Sequence, residues 1–532
     1  MNNKIGIAKE YHKITKHSPS SVYSNIHFLD WENKPLPFKF FNNLDLLYLP
    51  SNFPLADNDV ITCLQNEQNF SNMSSNKLDL MRISQILFLS AGITRVQKIN
   101  NSIYYMRSAS ATGALYPIEI YLACTHIRDL EDGIYHFCPG DFTLTKLHSG
   151  DYRSTLYHAC GNNEKIITSP ITLIFTSISW RNSWKYQDRS YRHWFWDVGT
   201  IISNYLSLCN ANSLLTEIIV GFQDDLVNKI ISLPSRKEAA IVLSPLGVGT
   251  IGEKEISNKH IDNLDVEFDT IPISRYGEPN FPQIWKVHEG SYLEYENDVK
   301  KWVEILKTVR YSKKPDKISL ERENLERGTP LYKVILQRGS TRKFSQKPIT
   351  QSQLEKILYL ANKNIPFDFI QHDDSLIDIY LIVNAVEGLK SGSYFYDKIN
   401  NTLNELETGD FRKASEHLCL DQKLFFDASS VCFILADINK ILKKLGNRGY
   451  RAVQLEGGIR LGKIYLAAYA QGLGASGSTF YDDEVTNFFL PHSINRNPIL
   501  AAGIGIPNYI SKSGKIHVSN IDREGILKDL GY

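Results

Sequence analysis

The sequence lacks any uninterrupted run of about 18 apolar residues, the length that a membrane-spanning helix needs. Its first residues, MNNKIGIAKEYHKITKHS, also lack the apolar core of a secretory signal. These two absences predict a chain with no membrane-spanning segment and give no support to secretion. We therefore expect a cytoplasmic protein.

Cysteine is scarce and unpatterned. The seven cysteines include no CxxC pair, and their odd number does not suit a disulfide framework. The sequence also lacks an HExxH motif and any cluster of carboxylates with metal-ligand spacing. We predict that the cysteines are buried as small apolar side chains and that the protein holds no metal ion.

An excess of charge of either sign is also missing. The 59 basic and 58 acidic residues leave a formal net charge of +1. A balance of this kind creates no overall field that would attract nucleic acid or an anionic membrane, so neither is expected as a partner. Any site for an anion must therefore be built locally.

What the sequence does have is length and an ordinary core composition. Single hydrophobic cores stop growing at about 250 to 300 residues, so a chain of 532 residues is expected to contain at least two domains. Hydrophobic residues make up 42% and charged residues 22%, which is typical of globular proteins rather than disordered or fibrous ones.

The two domains are predicted to be copies of one another. The segment IEIYL around Tyr121 returns as IDIYL around Tyr380, an offset of 259 residues. The same offset places Arg189, Tyr191, Arg192 and Gly199 on Arg448, Tyr450, Arg451 and Gly458. An offset of 258 then places FQDD at 222–225 on FYDD at 480–483. Because one register persists over about a hundred residues, the pattern indicates a tandem duplication.

Each copy alternates helical and strand patterns in the same order, which predicts an α+β fold. An amphipathic helix (LMRISQILFLSA or SQLEKILYLAN) precedes branched and aromatic strands, and a long helix follows from Tyr191 or Tyr450. Glycines 457, 458 and 462 would let another helix approach the second long helix closely. We predict a first domain at 1–270, a connector with a helix at 271–325 and a second domain at 326–532. A solvated spacer is the alternative for the connector.

Each copy keeps a motif that the other lacks. The second copy opens with QRGSTRKF at 337–344, whereas the first opens with FKFFNNLDLLYLP. Conversely, only the first copy has the stretch RSASATGALYP, between its first helix and Tyr121. The two copies therefore cannot perform the same task.

The two motifs suit the binding of a polar ligand. Arg338, Ser340 and Arg342 alternate, so in an extended segment their side chains share one side and could clamp an anion. A solvated basic strand end is the alternative. In the other motif, hydroxyl residues flank Gly113 and could place backbone N–H groups against a ligand, although a plain turn would also fit.

These residues resemble a known family. QRGSTRKF is similar to the flavin-phosphate motif of nitroreductase-like FMN enzymes, and ATGALYPIEIYL followed by GIYHF resembles their SagB/ThcOx-type dehydrogenase branch. WRNSWKYQDRSYRHWFWDVG and the opening LDWENKPLPFKFF resemble that branch and its tandem, two-copy members. The resemblance spans nearly the whole chain and implies two nitroreductase-like domains that form an intramolecular pseudo-dimer.

The resemblance also implies an FMN site between the copies. Arg338, Ser340 and Arg342 would hold the phosphate and ribityl chain, while Ser110, Thr112 and Gly113 would close the site from the first copy. The strand end Gly477, Ser478 and Thr479 would lie along the flavin ring. Ala111 stands where the family usually has a serine. Lys185 and Tyr186 match the family's catalytic Lys-Tyr pair, whereas the second copy has Lys444 followed by Leu445.

The function expected from the resemblance is an FMN-dependent dehydrogenase or oxidase. Its substrate would be a small molecule or a modified peptide, such as an azoline ring that is oxidised to an azole, and other enzymes of a biosynthetic pathway could be partners. An NAD(P)H-dependent reductase of nitro compounds or quinones is the first alternative. A flavin-poor protein that scaffolds a biosynthetic complex is the second.

Overall fold

The structure is a computed structural model of the chain. It describes residues 2–25, 27–65, 78–99, 102–250, 266–307, 328–371, 374–516 and 522–531. Part of the predicted connector, residues 308–325, lies outside these ranges. Over the ranges it does cover, no helix is both long enough and apolar enough to cross a membrane.

The helices are spread over the whole chain, and several begin with the caps that their sequences predict. Asp79 accepts a hydrogen bond from the backbone N–H of Arg82, and Thr350 forms a capping box with Gln353, which fixes where these two helices begin. The helices are α1 (Gly6–Ile14), α2 (Pro19–Tyr23), α3 (Val60–Gln65), α4 (Leu80–Ala91), α5 (Arg153–Ala159), α6 (Glu164–Ile167), α7 (Ser179–Tyr186), α8 (Ser190–Ala211), α9 (Asp224–Ile230), α10 (Pro282–Glu289), α11 (Glu296–Lys307), α12 (Leu331–Gln337), α13 (Gln351–Ala361), α14 (Arg412–Leu418), α15 (Lys423–Asp427), α16 (Ile438–Leu445), α17 (Arg448–Ala470), α18 (Asp482–Phe488) and α19 (Arg523–Asp529).

The strands form two six-stranded sheets, a hairpin and a short parallel pair. They are β1 (Leu46–Tyr48), β2 (Ile93–Ile99), β3 (Ser102–Arg107), β4 (Ile118–Cys124), β5 (Gly133–Cys138), β6 (Thr143–Ser149), β7 (Ile171–Ile178), β8 (Glu238–Leu246), β9 (Ile349–Thr350), β10 (Asp378–Val383), β11 (Val386–Glu387), β12 (Gly392–Asp397), β13 (Thr402–Thr408), β14 (Ser430–Ala436), β15 (Gly474–Ser478) and β16 (Asn497–Gly505).

The two large sheets share an order of five strands, β6-β5-β4-β7-β8 in the first and β13-β12-β10-β14-β16 in the second, with antiparallel neighbours throughout. The sixth strand lies at opposite edges: β1 pairs with β6 in the first sheet, and β15 pairs with β16 in the second. The strands that carry IEIYL and IDIYL, β4 and β10, occupy the same place in the order. Antiparallel sheets combined with helices confirm the predicted mixture of α and β structure. In the first half, isolated bridges from Thr216 and Ile219 to β8 lie where the second half has β15 beside β16.

The two long helices, α8 and α17, pack against each other through glycine. A Cβ atom added to Gly199 would lie 2.5 Å from the backbone carbon of Gly458, and one added to Gly458 would lie 2.7 Å from the carbonyl oxygen of Phe195. A Cβ atom on Gly462 would lie 2.4 Å from the Cβ atom of Ser203. The close approach predicted from the glycines is therefore correct, and the helices touch at residues that are 259 positions apart.

Buried ion pairs cross between the two halves. Asp224 of the first half accepts from Arg448 and Arg451 of the second, each at 2.6 Å. In the reverse direction, Asp482 accepts from Arg189 at 3.0 Å and from Arg192 at 2.8 Å. All six side chains are almost fully buried. Each half therefore neutralises the buried arginines of the other half.

The described part of the connector, residues 271–307, packs into the core, so the solvated-spacer alternative is wrong for this part. Its helices α10 and α11 bury Trp285, Val287 and Trp302, since their apolar residues recur at helical spacing. Arg451 donates to the carbonyl oxygen of His288 at 2.8 Å and to the hydroxyl of Ser291 at 2.7 Å.

The N-terminal helix α1 makes the matching contacts. Arg192 donates to the carbonyl oxygen of His12 at 3.0 Å and to the hydroxyl of Thr15 at 2.9 Å. Arg192 and Arg451 occupy corresponding positions in the two halves, so α10 does for the second half what α1 does for the first.

Candidate active site

The arginine segment of the second half meets the serine-glycine loop of the first half. Arg338 is buried, and its Nε atom donates to the carbonyl oxygen of Ser108 at 3.0 Å. Its Nη2 atom donates to the carbonyl oxygen of Arg107 at 3.2 Å. These carbonyls come just before Ser110 in the chain. Two motifs that lie 230 residues apart in sequence are thus in direct contact.

Ser340 lies beside the second-half strand end. Its hydroxyl oxygen is 3.0 Å from the hydroxyl oxygen of Tyr465, and the Tyr465 hydroxyl accepts from the backbone N–H of Gly477 at 2.8 Å. Tyr465, on α17, therefore joins two residues that were assigned to the flavin on the basis of resemblance. Sequence reasoning missed Tyr465 because a tyrosine within a buried helix carries no signal of its own.

The other two residues of this strand end accept hydrogen bonds from different parts of the chain. The Ser478 hydroxyl accepts from Gln422 at 2.9 Å. The Thr479 hydroxyl accepts at 2.8 Å from Arg189, which follows the Lys185-Tyr186 pair closely in the chain. Arg189 thus links the second-half strand end to the chain segment that follows the predicted catalytic pair.

Lys185 and Tyr186 end helix α7, and Arg342 of the second half acts on both. Partial loss of solvent and the nearby charge of Arg342 lower the pKa of Lys185, although part of its side chain is exposed. Burial raises the pKa of Tyr186 well above its usual value, against the opposing effect of Arg342. At neutral pH Tyr186 is therefore protonated and can donate a proton, whereas Lys185 releases its proton more readily than an ordinary lysine.

The serine-glycine loop has a strained backbone. Gly113, Ala114 and Tyr116 have φ values of 63°, 54° and 49°. A positive φ costs little for glycine but roughly 1–3 kcal/mol for other residues, and such residues persist only where the surroundings enforce them. The Tyr186 hydroxyl is also so close that a Cβ atom on Gly113 would lie 2.7 Å from it. No larger residue fits at this position without displacing Tyr186.

Two residues of helix α8 hold the loop. Asp197 accepts from the backbone N–H of Thr112 at 2.8 Å and from its hydroxyl at 2.7 Å. Thr200 donates to the carbonyl oxygen of Ser110 at 2.6 Å. The Thr112 hydroxyl, which was predicted to face the cofactor, is therefore engaged within the protein.

Asp197 is the main residue that the sequence prediction missed. Burial raises the pKa of Asp197 to about 7, although the donors Thr112 and Asn182 act in the opposite direction. A signal for it exists: it is an acidic residue within the apolar run HWFWDVGTII, where a charge is costly. The predicted offset of 259 also places it on Glu456.

The opposite pairing of the two halves, in which the corresponding residues exchange roles, presents different side chains. Glu456 accepts from Arg460 at 2.9 Å and from the backbone N–H of Leu376 at 2.8 Å, so its charge is neutralised by a buried arginine. In the first-half segment FKFF, Lys39 is buried in an ion pair with Glu238 at 2.6 Å. Neither cation is available to a ligand.

The site formed by the arginine segment and the serine-glycine loop, in contrast, presents cations that are not held in ion pairs. Lys185 and Arg342 are both exposed, and neither forms an ion pair with any residue that the structure describes. Two neighbouring cations repel each other unless an anion lies between them or beside them. Arg342 and the Ser340 hydroxyl together form a donor set that fits the phosphate of a flavin nucleotide. The described part of the chain contains no cluster of potential metal ligands.

Comparison with known proteins agrees with the fold. Residues 335–506 match the model of the nitroreductase family. A protein of Methanocaldococcus jannaschii, provisionally named a nitroreductase, is 26% identical over 173 residues, which is 32% of this chain and 82% of that protein. The crystal structure of a similarly named protein from Anabaena variabilis has a TM-score of 0.73 and 24% identity, covering 94% of this chain and 99% of that one.

The chain therefore contains a nitroreductase-family domain in its second half, and its overall fold resembles one solved structure almost from end to end. The family match supports an oxidoreductase as the class of activity. Members of this family generally bind flavin.

Proposed function

We propose that the protein is an FMN-dependent oxidoreductase in which two nitroreductase-like halves form an intramolecular pseudo-dimer with one composite active site. The observation that carries this proposal is the contact between Arg338 and the carbonyl oxygen of Ser108, at 3.0 Å. It joins the phosphate-type motif of one half to the loop motif of the other, and each motif occurs only once in the chain.

The pseudo-dimer is supported by contacts that come in matching pairs. Gly199 meets Gly458, and the arginines of each half bind the aspartate of the other. The matching contacts of α1 and α10 suggest that the second unit begins within the segment predicted as a connector. An approximate two-fold axis between α8 and α17 accounts for all of these pairs.

Several of the chain's own residues suit the roles that the resemblance gives them, whereas Arg338 and Thr112 bond to the protein itself, Arg338 to the carbonyl oxygen of Ser108 and Thr112 to Asp197. Arg342 and Ser340 would hold the phosphate, and the Ser110–Gly113 loop would lie against the ring. When bound, FMN would supply a two-electron acceptor for a hydride from the substrate. Lys185, with its lowered pKa, would remove the adjacent proton, and Tyr186, which stays protonated, would donate a hydrogen bond to the substrate.

For the substrate, we propose an azoline-type ring in a modified peptide or a related small molecule, supplied by other enzymes of a biosynthetic pathway. The Lys185-Tyr186 pair at the exposed end of α7, close to the serine-glycine loop, supports dehydrogenation. Reduction of nitro compounds or quinones by NAD(P)H is the second candidate, and the name of the Methanocaldococcus jannaschii relative favours it.

Anaerobic stopped-flow spectroscopy separates the two candidates. The protein reconstituted with FMN is mixed either with NADPH or with an azoline-containing peptide, and flavin bleaching near 450 nm is followed. Dehydrogenation predicts rapid bleaching by the peptide and slow bleaching by NADPH. The reverse order would establish the reductase, and a protein that cannot be reconstituted with FMN would favour the scaffold.

A further inference from the structure

Asp197 is the only acidic side chain that hydrogen-bonds the Ser110–Gly113 loop among the residues described. Its Oδ1 atom accepts both donors of Thr112, the first residue of the one-turn helix Thr112–Ala114. A short helix has unsatisfied N–H groups at its start, and a carboxylate from elsewhere in the chain can cap them. Asp197 thus caps this turn from helix α8.

We propose that Asp197 is a positioning residue that locks the serine-glycine loop in its strained conformation through Thr112. The loop needs such a lock because Ala114 and Tyr116 have positive φ values, which are unfavourable for residues other than glycine. The bonds from Thr112 to an ionised Asp197 are charge-assisted and therefore stronger than bonds to a neutral acceptor.

The surroundings of Asp197 leave it free to gain or lose a proton. The loop and the turn after it contribute Thr112 and Tyr116, helix α7 contributes Asn182 and Tyr186, and strand β3 contributes Arg107. A small cavity of about 10 Å³ with a largely apolar lining lies between Asp197 and the loop. Asp197 forms no ion pair within the described residues, in contrast to Glu456 with Arg460.

This arrangement has a consequence for pH. Burial raises the pKa of Asp197 to about 7, so protonation occurs near neutral pH. Below that pH the bonds from Thr112 lose their charge assistance and the loop loosens. Above that pH the charged Asp197 holds the loop in its strained conformation. The inference depends on the proposed function only in that the loop would contact FMN.

Hydrogen–deuterium exchange of the full-length, FMN-free protein tests the lock directly. We expect Asp197→Ala to reduce the protection of the amides at 110–116 by roughly 10- to 100-fold, because a charge-assisted acceptor is lost. Asp197→Asn keeps one acceptor and should show a smaller loss. After correction for intrinsic exchange, protection in the wild type should rise from pH 6 to pH 8, whereas protection in Asp197→Asn should not change.

Two further variants keep the test decisive. Glu456→Gln is the matched control: it removes a buried charge at the corresponding position and lowers stability because Arg460 loses its partner, but it should not loosen the loop at 110–116 selectively. If Asp197→Ala fails to fold, Thr112→Val removes the hydroxyl donor alone and should still lower loop protection by up to about 10-fold. Unchanged protection of the loop in both variants would overturn the inference.

Titration with FMN separates this inference from the proposed function. A wild type that binds no FMN, with a loop that still loosens in Asp197→Ala, would overturn the proposed function and support the lock. A wild type that binds FMN, with loop protection that does not change in Asp197→Ala, would support the proposed function and overturn the lock.

Discussion

The buried aspartate Asp482 offers a sharp test of the contact between the halves, because its neighbour Asp483 serves as a control. Asp482 is fully buried and accepts from Arg189 and Arg192 of the other half. Asp483 pairs with Lys16, but its side chain is 69% exposed. Substituting each by asparagine removes one negative charge from adjacent positions of the same helix.

The expected effects differ because only one change leaves buried charges without a partner. Asp482→Asn leaves two buried guanidinium groups without a counter-ion, which costs about 3–5 kcal/mol of unfolding free energy. Asp483→Asn removes a solvent-exposed pair that contributes about 0–1 kcal/mol. Asp224→Asn should resemble Asp482→Asn, since Asp224 holds Arg448 and Arg451 in the same way.

The pH dependence of the Asp482 contribution has a definite sign. Burial alone would raise the pKa of Asp482, but the charges of Arg189 and Arg192 hold it well below its usual range. A carboxyl whose pKa is lower in the folded state stabilises the protein above its unfolded pKa of about 4. We therefore expect this contribution to be present at neutral pH and to be lost as the pH falls below about 4.

Urea unfolding at pH 7, followed by tryptophan fluorescence and circular dichroism, measures these differences. The denaturant midpoint should fall clearly in Asp482→Asn and Asp224→Asn and hardly at all in Asp483→Asn. If Asp482→Asn were no more destabilising than Asp483→Asn, the crossed ion pairs would not hold the halves together and our interpretation of the interface would be wrong.

Three further predictions concern the site. Replacing Lys185 by alanine or Tyr186 by phenylalanine should slow turnover by roughly 100-fold or more while FMN stays bound, because a general base or acid is lost; unchanged turnover, measured beside flavin absorbance, would remove both from the mechanism. The kcat/KM value should rise with pH through an apparent pKa below 10.5, the ordinary lysine value, because neutral Lys185 is the base. Arg342→Ala should move that pKa upward because a nearby positive charge is lost. An unmoved pH profile would show that Arg342 is too far from Lys185 to affect its pKa. Arg338→Ala should lower the unfolding free energy by about 2–4 kcal/mol, because two buried carbonyls lose their donor. Arg275→Ala is the control, since it removes an exposed arginine that also donates to two carbonyls, and it should lower the unfolding free energy much less in the same urea assay.

Much of the fold could be predicted from the sequence because the repeated elements carry strong local signals. LMRISQILFLSA coincides with α4, and IEIYL and IDIYL lie in strands at the same place in two sheets. The glycines near Gly458 indicated a close helix contact, because glycine weakens a helix and is expected within a buried one mainly where another backbone must approach closely. The meeting of Arg338 with the loop followed from the complementary motifs.

The rest depended on three-dimensional contacts that leave little trace in one sequence. The contacts of His288 and Ser291 match those of His12 and Thr15 through backbone and hydroxyl oxygens, so the surrounding residues are free to differ and the repeat is hard to see. The orientation of Thr112 toward Asp197 depends on how the loop folds back onto α8. The bond between Tyr465 and Gly477 arises only once the last strand lies beside α17.

The number of flavins per chain tests the central claim most directly. FMN released by heat from the fully reconstituted protein is compared with the chain concentration from amino-acid analysis. One composite site predicts a ratio near one that falls in Arg342→Ala, because in the opposite pairing Lys39 and Arg460 are held in buried ion pairs. A ratio approaching two, or a protein that takes up no FMN, would contradict the composite site.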